Sequence, residues 1–388
     1  MTITERKQII TLINREVVPA IGCTEPIAVS LAAAKVKEIL GETPEKITVL
    51  LSANVLKNAM GVGIPGTGMI GLPIAIALGV LAGKSEYQLE VLKDVTDQDV
   101  EKGKQYIAEK RITIALKQDI SDKLYIEVIG TSPRDTAKVI ITGEHTHFTY
   151  MSKGDQTLLN KVYSQKEEED GKVDLSLSKV YEFAMTAPLE EIRFILKSAE
   201  LNKAAAEQSF HEQYGHQLGK LLKDESKKEI MGDNLYSSIL CYTSAACDAR
   251  MAGAKIPVMT NSGSGNQGIS ATLPVVIYAE QQHKTEEELI RALMLSHLTV
   301  IYIKQSLGRL SALCGCVVAA TGSSCGITFL MGGDYNNIVY AVKNMIANIT
   351  GMICDGAKPS CSLKVATGVS TAFLSAMMAI ENRCVSSL

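Results

Sequence analysis

The stretch Lys46-Ile47-Thr48-Val49-Leu50-Leu51-Ser52 decides the fold class, because it is the first of several strand-like runs in a chain that otherwise has apolar residues at helical spacing. Further runs share its richness in β-branched residues and lie at residues 111–117, 124–129 and 138–142. Helical patterns separate these runs and cover residues 69–82 and 97–109. Residues 43–152 are therefore predicted to form a small α/β domain.

The segments on both sides of this domain have helical spacing. Residues 1–42 carry apolar side chains in that pattern, interrupted by Val18-Pro19-Ala20-Ile21-Gly22-Cys23-Thr24-Glu25-Pro26. The prolines and the glycine predict a turn there, with Thr24 as the cap of a helix that starts near Pro26. Toward the C-terminus, helices are predicted at residues 180–186, 188–207, 235–252, 286–305, 336–350 and 365–382.

These patterns predict an α+β fold, with a mainly α-helical catalytic domain and an inserted small α/β domain. Residues 1–42 are expected to join residues 175–388 in the helical domain. The intervening residues 153–173 are highly charged and include the run Glu167-Glu168-Glu169-Asp170-Gly171, which is typical of a solvated linker.

Composition argues against several classes of function. The 388 residues include 39 basic and 42 acidic side chains, a formal charge of -3 that predicts no nucleic-acid partner. Residues 1–15 lack a secretory signal, and the apolar stretches 66–83 and 316–331 are too short and too rich in Gly, Ser and Thr to span a membrane. We expect a cytoplasmic homodimer with no membrane partner, whose nine cysteines stay reduced.

The cysteines are concentrated near the C-terminus, where five of the nine lie between residues 314 and 361. Cys354 and Cys361 bracket a loop that could wrap an iron–sulfur cluster, and Cys314 or Cys316 could supply a third thiolate. Zinc would favour C-x2-C pairs, which are absent here. The alternative is ordinary packing of small buried thiols. That alternative suits Cys241, Cys247, Cys325 and Cys384.

The number of thiolate ligands matters for the chemistry of such a cluster. Three ligands leave one iron with an open coordination position, which makes it a Lewis acid for a substrate. A fully ligated cluster would instead carry electrons. No flavin or dinucleotide fingerprint accompanies these cysteines, so electron transfer is the less favoured use.

A loop rich in Gly, Ser and Asn at residues 260–268 leads directly into an apolar helical run. Free N–H groups at a helix N-terminus bind anions, so a carboxylate or a phosphate is the predicted ligand. An ordinary loop between helices is the alternative. The candidate substrate-binding residues in this loop are Asn261, Ser262, Gly263, Ser264, Gly265 and Asn266.

The turn before the second helix supplies the candidate catalytic residues Cys23 and Glu25. A helix N-terminus lowers the pKa of a thiol such as Cys23, and a buried Glu25 would serve in proton transfer. The alternative is a capped helix start with an incidental thiol. Lys57 is a further candidate catalytic residue and Asn58 a further candidate substrate-binding residue. They precede a Gly-rich loop that lacks the pattern of a Walker A site, and a structural turn is the alternative.

The histidines give weaker signals than the cysteines. His145 and His147 alternate on a predicted strand, where they could chelate a metal, although such residues more often lie at the surface. His283 and His297 are single residues on predicted helices and are interpreted as structural.

Four of these segments together resemble the L-cysteine desulfidase family. They are Pro19-Ala20-Ile21-Gly22-Cys23-Thr24-Glu25-Pro26, residues 57–68, residues 261–268 and Met352-Ile353-Cys354-Asp355-Gly356-Ala357-Lys358. The C-terminal half is similar to the α domain of bacterial iron–sulfur L-serine dehydratases. The resemblance covers nearly the whole chain.

This resemblance implies a [4Fe–4S] cluster and the conversion of L-cysteine to pyruvate, ammonia and sulfide by β-elimination. It maps three cluster ligands onto Cys314, Cys354 and Cys361, with Cys316 as the rival of Cys314. Cys23 has no counterpart in the dehydratases, and the roles of ligand, base and substrate contact all stay open for it. The loop 261–268 resembles the dehydratase segment implied to hold the substrate carboxylate.

Three further functions compete with this interpretation. L-Serine dehydration could use the same scaffold. A pyridoxal-phosphate lyase would perform the same elimination through Lys57 or Lys358, with loop 261–268 as a phosphate cup. A non-catalytic sensor could bind a cluster or an amino acid, although no DNA-binding module accompanies the thiols.

Overall fold

A six-stranded mixed sheet and a group of long helices form the two halves of the structure. It is a computed structural model that describes residues 1–161, 173–308 and 311–386. The strands of the sheet are β2 (Lys46–Leu51), β3 (Ile112–Leu116), β4 (Tyr125–Thr131), β5 (Thr136–Thr142), β6 (Phe148–Lys153) and β7 (Gln156–Asn160). Their order is β3-β2-β4-β5-β6-β7, and β2 and β3 form the parallel pair. The predicted α+β class, mainly helical, is confirmed.

The sheet forms because its strands alternate apolar side chains on the face that is buried. In β2 the side chains of Ile47, Val49 and Leu51 are buried while their neighbours are partly exposed. The helices of this half are α2 (Thr24–Leu40), α3 (Ala53–Ala59), α4 (Leu72–Leu81) and α5 (Asp97–Ala108). Helices α2 and α4 share one apolar core with the sheet.

The second half is built from helices at both ends of the chain. They are α1 (Ile3–Glu16), α6 (Leu177–Thr186), α7 (Leu189–Ile192), α8 (Leu196–His211), α9 (Leu218–Lys223), α10 (Lys228–Met231), α11 (Leu235–Met251), α12 (Gly265–Gln281), α13 (Glu286–Leu307), α14 (Gly315–Leu330), α15 (Tyr335–Ile349) and α16 (Cys361–Ile380). Helix α14 lies at the centre, packed by α12, α13, α15 and α16. Gly322 and Gly326 permit the close approach of α13, because an added Cβ would lie 2.4 Å and 2.9 Å from carbonyl oxygens of that helix.

Some predicted elements differ from the structure. Strands β6 and β7 were not predicted, and β7 lies within the expected linker 153–173; the acidic run at residues 167–171 falls outside the described residues. These strands have few β-branched residues and form through backbone pairing with β5 and with each other. The predicted helix 188–207 is divided by a 3-10 turn at Arg193–Ile195.

The placement of α2 also differs from the expectation that residues 1–42 join the helical domain. Helix α1 does so, because Ile9 and Ile13 lie in the core of the helical half. Helix α2 instead packs on the sheet, where its small side chains let α4 approach closely. An added Cβ on Gly79 of α4 would lie 2.5 Å from the carbonyl oxygen of Ser30 on α2. The domain boundaries themselves stay a prediction.

Backbone hydrogen bonds join the two halves. The short strand β1 (Pro19–Ile21) pairs antiparallel with β8 (Pro257–Met259). The N–H of Gly63 donates to the carbonyl of Met251 at 2.9 Å, and that of Gly66 donates to Gly253 at 3.1 Å. The loop between α3 and α4 is thus held against the end of α11.

One helix in the described part of the chain, Cys361–Ile380, is long and apolar enough to cross a membrane by length and composition. Of its most apolar window, 44% is buried against the rest of the structure, and a core helix passes the same test. The stretches considered in the sequence form the shorter apolar helices α4 and α14.

The contact between Gly63 and α11 leads to a stability prediction. An added Cβ on Gly63 would lie 2.2 Å from the backbone of Ala252, so Gly63→Ala forces the two halves apart. We expect a loss of about 1–3 kcal/mol in the free energy of unfolding, measured by urea titration. Gly351→Ala is the control, because no atom lies within 4 Å of its added Cβ. Equal midpoints for both variants would contradict the close packing.

Candidate active site

A cavity of about 100 Å³ lies where the start of α2, the β5–β6 turn and the helical half meet. This is small beside the roughly 300–1,000 Å³ of pockets for drug-sized ligands, so it suits a small metabolite. Its lining residues are Cys23, Glu25, Asn58, His145, Arg250, Ser262, Gly263, Ser264, Asn266, Gln267, Lys304, Ser311, Leu313, Cys314, Gly315, Cys316, Cys354, Gly356, Ala357, Cys361 and Lys364.

Five thiols face this cavity, from Cys23, Cys314, Cys316, Cys354 and Cys361. Two loops that carry most of them are joined by backbone hydrogen bonds. The N–H of Cys314 donates to Met352 at 3.0 Å, and the N–H of Cys354 donates to Ala312 at 2.8 Å. The structure therefore brings together cysteines that are about 40 residues apart in sequence.

The thiols of Cys314 and Cys316 are electrostatically different. A hydrogen bond from Cys316 lowers the pKa of Cys314 despite the burial of that thiol, with help from the backbone N–H groups at the start of α14. The same bond and complete burial raise the pKa of Cys316. Because the thiolate is the form that binds metal, this difference favours Cys314 over Cys316 as a ligand.

Glu25 is the buried carboxylate of the cavity. It accepts hydrogen bonds from the Cys23 thiol at 3.2 Å, from Thr24 Oγ1 at 3.1 Å and from Asn58 Nδ2 at 2.9 Å. Burial acts to raise the pKa of Glu25, but the charge of His145 and the bonds from Asn58 and Cys23 outweigh it and lower that pKa. Glu25 is therefore ionised at neutral pH.

The expected lowering of the Cys23 pKa is wrong. Helix α2 begins at Thr24, so Cys23 rather than Thr24 is its N-cap. Complete burial and the adjacent charge of Glu25 raise the pKa of Cys23 far above its ordinary value. Cys23 is a protonated thiol that donates to Glu25, because burial and the neighbouring carboxylate both disfavour its thiolate.

His145 also lines the cavity, a position that the sequence did not predict. His145 and His147 lie in the connection between β5 and β6 rather than on a strand. His145 is buried and lines the cavity, with its Cε1 atom 3.8 Å from the position of an added Cβ on Gly263. Its charge acts on Glu25. No spacing in the sequence indicated this contact.

The loop 260–268 separates into a lining part and a supporting part. Ser262, Gly263, Ser264 and Asn266 line the cavity, and Gly265 is the first residue of α12. Asn261 does not line it. Its side-chain amide donates to the carbonyl of His297 at 3.1 Å and lies at the same distance from that imidazole.

His297 is therefore a structural residue, as predicted. Burial lowers its pKa to about 3, so the imidazole is neutral. His283 lies in the turn after α12 rather than on a helix.

Lys57 does not line the cavity, contrary to its predicted catalytic role. Its Nζ donates to the carbonyl of Cys354 at 3.4 Å, which fixes the thiol-bearing loop to α3. Gly356 is needed in this loop, because an added Cβ would lie 2.2 Å from the carbonyl oxygen of Lys57. Lys358 pairs with Asp355 and also lies outside the lining.

Two basic residues in the lining were missed by sequence reasoning. Arg250 lies on α11 and Lys304 on α13, and both are buried. A charged residue within an apolar helical segment is rarely buried without a function, so the run Ala249-Arg250-Met251 was the signal that could have been used.

The cysteine side chains of the cavity suit an iron–sulfur cluster better than a single metal ion. No three His, Cys, Asp or Glu side chains in the described ranges converge as ligands of a single ion. Cysteines that hold an iron–sulfur cluster bind different irons and need not converge in that way. Cys314, Cys354 and Cys361 around one cavity fit a cluster, whereas Cys241, Cys247, Cys325 and Cys384 lie outside its lining.

Comparison with known proteins identifies the family. A family model described as serine dehydratase alpha chain matches residues 86–387, and the chain belongs to this family. UPF0597 proteins are similar over nearly their whole length. One from Bacteroides fragilis is 72% identical over 389 residues, which cover 100% of this chain and 91% of that protein.

UPF0597 proteins of other species are also similar to this chain over most of their length. The UPF0597 protein of Bacteroides thetaiotaomicron is 70% identical and covers 99% of this chain and 90% of its own length. That of Porphyromonas gingivalis is 52% identical, with coverages of 100% and 91%. The predicted relation to the serine dehydratase α domain is confirmed, and the family supports a lyase-type function.

The burial of the thiols predicts an order of alkylation in protein that carries no cofactor. Cys354 and Cys384 are partly exposed, whereas Cys23 and Cys247 are buried with raised pKa values. We expect iodoacetamide to modify the first pair at least about tenfold faster, because the thiolate is the reactive form. Peptide mass spectrometry measures the rates. Equal labelling of Cys23 and Cys384 would contradict the burial of Cys23.

Proposed function

We propose that this chain is an iron–sulfur-dependent β-eliminating lyase that acts on a small L-amino acid. L-Cysteine is the proposed substrate, with pyruvate, ammonia and sulfide as products. The observation that carries the proposal is the meeting of an ionised Glu25 with several thiols in one small cavity. An acid–base group beside thiols that could hold a metal cluster supports this proposal.

Cys314, Cys354 and Cys361 are the residues that would hold a [4Fe–4S] cluster. When bound by three thiolates, such a cluster supplies Lewis-acid catalysis at the iron that keeps an open coordination position. Lys364 lies beside these thiols, where its Nζ donates to the carbonyl of Ile353 at 3.2 Å. A cation at that position favours the thiolate form of the ligands.

The chain itself supplies the proton transfer. Glu25 removes the α-proton, either directly or through Cys23, which passes its own proton to Glu25 as it takes the α-proton. Asn58 holds the Glu25 carboxylate in place. The electron pair of the broken C–H bond forms the Cα–Cβ double bond as the β-substituent leaves as hydrosulfide. The aminoacrylate released then tautomerises and hydrolyses to pyruvate and ammonia.

Leaving-group chemistry bears on the choice of substrate. A thiol has a pKa of about 8.5 and water one of about 15.7, so sulfide leaves far more easily than hydroxide. L-Serine is the second candidate substrate, because the matching family is described as serine dehydratase alpha chain.

A pyridoxal-phosphate lyase and a non-catalytic sensor are less well supported. The lyase needs a lysine at the cofactor, and both Lys57 and Lys358 lie outside the cavity lining. The sensor would not need Glu25 ionised beside a proton donor. The homodimer and the cytoplasmic location stay predictions.

Anaerobic reconstitution with iron and sulfide tests the cluster. We expect about four irons per chain and pyruvate formation from L-cysteine faster than from L-serine. Cys354→Ser is expected to lose most of the bound iron, because serine is a poor ligand for iron in such clusters. Cys325→Ser is the matched control, since Cys325 is a buried thiol remote from the lining. An iron-loaded protein that turns over neither amino acid would disprove the lyase.

Glu25→Gln tests the proton transfer. Glutamine keeps the shape but accepts no proton, so kcat should fall by about 100-fold or more with unchanged iron content. Glu38→Gln is the control on the same helix, because Glu38 bonds to Ser85 away from the cavity. Steady-state pyruvate formation measures both variants. An unchanged kcat in Glu25→Gln would remove Glu25 from the mechanism.

A further inference from the structure

The loop between two of the proposed cluster ligands, residues 354–361, is folded back on itself. Cys354 and Cys361 are seven positions apart in the sequence, and both line the same cavity of about 100 Å³. Seven extended residues span up to about 24 Å, far more than the width of such a cavity. Gly356 turns the chain with a φ of 100°, a conformation that glycine adopts without strain. Further contacts are needed to keep the two thiols together.

The Asp355 carboxylate joins the start of this loop to its end. Its Oδ2 atom pairs with Lys358 Nζ at 2.6 Å, and its Oδ1 atom pairs with Lys364 Nζ. Lys358 lies in the loop, and Lys364 lies in the first turn of α16, the helix that begins at Cys361. The carboxylate therefore links the residue after one proposed ligand to the helix that carries the other.

Lys364 is the partner through which Asp355 acts on the cavity. Its Nζ donates to the carbonyl of Ile353 at 3.2 Å, and its side chain lines the cavity with the thiols. The side chain of Lys364 is 23% exposed and that of Asp355 is 50% exposed, so solvent screens this pair only in part. Without the carboxylate, the ammonium groups of Lys358 and Lys364 would be two neighbouring like charges that repel each other.

Other hydrogen bonds restrain the same loop without involving Asp355. The N–H of Cys361 donates to the carbonyl of Lys358 at 2.8 Å, and Lys57 Nζ donates to the carbonyl of Cys354 at 3.4 Å. These bonds do not need the Asp355 carboxylate. We therefore expect a loop without that carboxylate to open more often while the rest of the protein stays folded.

We propose that Asp355 is a positioning residue that holds the loop 354–361 in its ligand-binding conformation before a cofactor binds. It acts through Lys358 and Lys364 and keeps the thiols of Cys354 and Cys361 at the cavity. The use of this arrangement rests on the proposed function, because donors that are already in place lose less conformational entropy when they bind iron. The consequence is slower loss of a bound cluster.

Alkylation of the cofactor-free protein tests the loop itself. Cys361 is 7% exposed, so iodoacetamide reaches its thiol when the loop opens. We expect Asp355→Asn and Lys364→Met each to raise the modification rate of Cys361 about five- to tenfold, a moderate factor because partly exposed ion pairs are individually weak. Peptide mass spectrometry measures the rate, and the rate at Cys384 should stay the same. An unchanged rate at Cys361 in either variant would overturn the inference.

The two variants separate loop opening from a direct effect of charge on the thiols. Loss of the negative charge of Asp355 favours nearby thiolates and loss of the positive charge of Lys364 disfavours them, so charge alone would change the two rates in opposite directions. Faster modification in both variants therefore indicates an open loop, and slower modification in Lys364→Met would contradict it. Lys364→Gln replaces Lys364→Met if that variant does not fold.

A conservative variant and a matched control complete the alkylation experiment. Asp355→Glu keeps the carboxylate and should return the rate at Cys361 toward that of the wild type. Asp94→Asn is the control, because Asp94 is 49% exposed and pairs with Lys84 at 2.8 Å, outside the cavity lining. A rate in Asp94→Asn as high as that in Asp355→Asn would show that the effect is not specific to the loop.

Iron release from the reconstituted protein tests the consequence for the cluster. A neutral chelator such as bipyridyl forms a coloured iron complex, whose absorbance gives the rate of release. We expect iron to leave Asp355→Asn about five- to tenfold faster than the wild type, with Asp355→Glu close to the wild type. Equal rates in Asp355→Asn and the wild type would contradict a role of Asp355 in retaining the cluster.

The outcome is separable from that of the lyase proposal. Faster alkylation of Cys361 in both variants, with no iron bound by the reconstituted wild type, retains the positioning role of Asp355 and rejects the cluster. Iron binding and pyruvate formation, with unchanged alkylation of Cys361 in both variants, retain the lyase and reject this inference.

Discussion

The antiparallel pairing of β1 with β8 is the contact on which the cavity depends. It places residues 19–21 beside residues 257–259, and the N–H groups of Thr260 and Ser262 extend it by donating to Val18 and Glu16 at 2.9 Å. The turn that carries Cys23 is thereby fixed against the loop that leads into α12. Backbone pairing is specific in register, so two segments about 240 residues apart meet in one arrangement.

Two buried charges line the cavity, Glu25 and Arg250, and they differ in their hydrogen-bond partners. Glu25 is stabilised by hydrogen bonds from Cys23, Thr24 and Asn58, so its negative charge is satisfied within the protein. Arg250 has one amide contact and no carboxylate partner among the described residues. Hydrogen bonds hold the buried Glu25 carboxylate in its charged form, whereas the buried Arg250 guanidinium keeps an N–H group without an acceptor.

Residue chemistry predicted part of this site. Clustering indicated Cys354 and Cys361 with either Cys314 or Cys316, and the family resemblance implied Cys314. The structure brings all four thiols to one cavity with Cys23 and Glu25. Lys57 and Asn261 were proposed from their neighbours in sequence, and both instead support the loops around the cavity. Arg250 was missed, and His145 was considered only as a chelating or surface residue. Each comes from an element that contributes a single residue to the cavity.

The sequence by itself determined the fold class, the long helices and the concentration of thiols, because these follow from local periodicity and composition. Only the tertiary structure decided that α2 packs on the sheet, that Cys23 stays protonated and that Arg250 lies beside Gly265. Each of these depends on burial and on charges from distant segments. Such effects act across space and leave no pattern in the order of the residues.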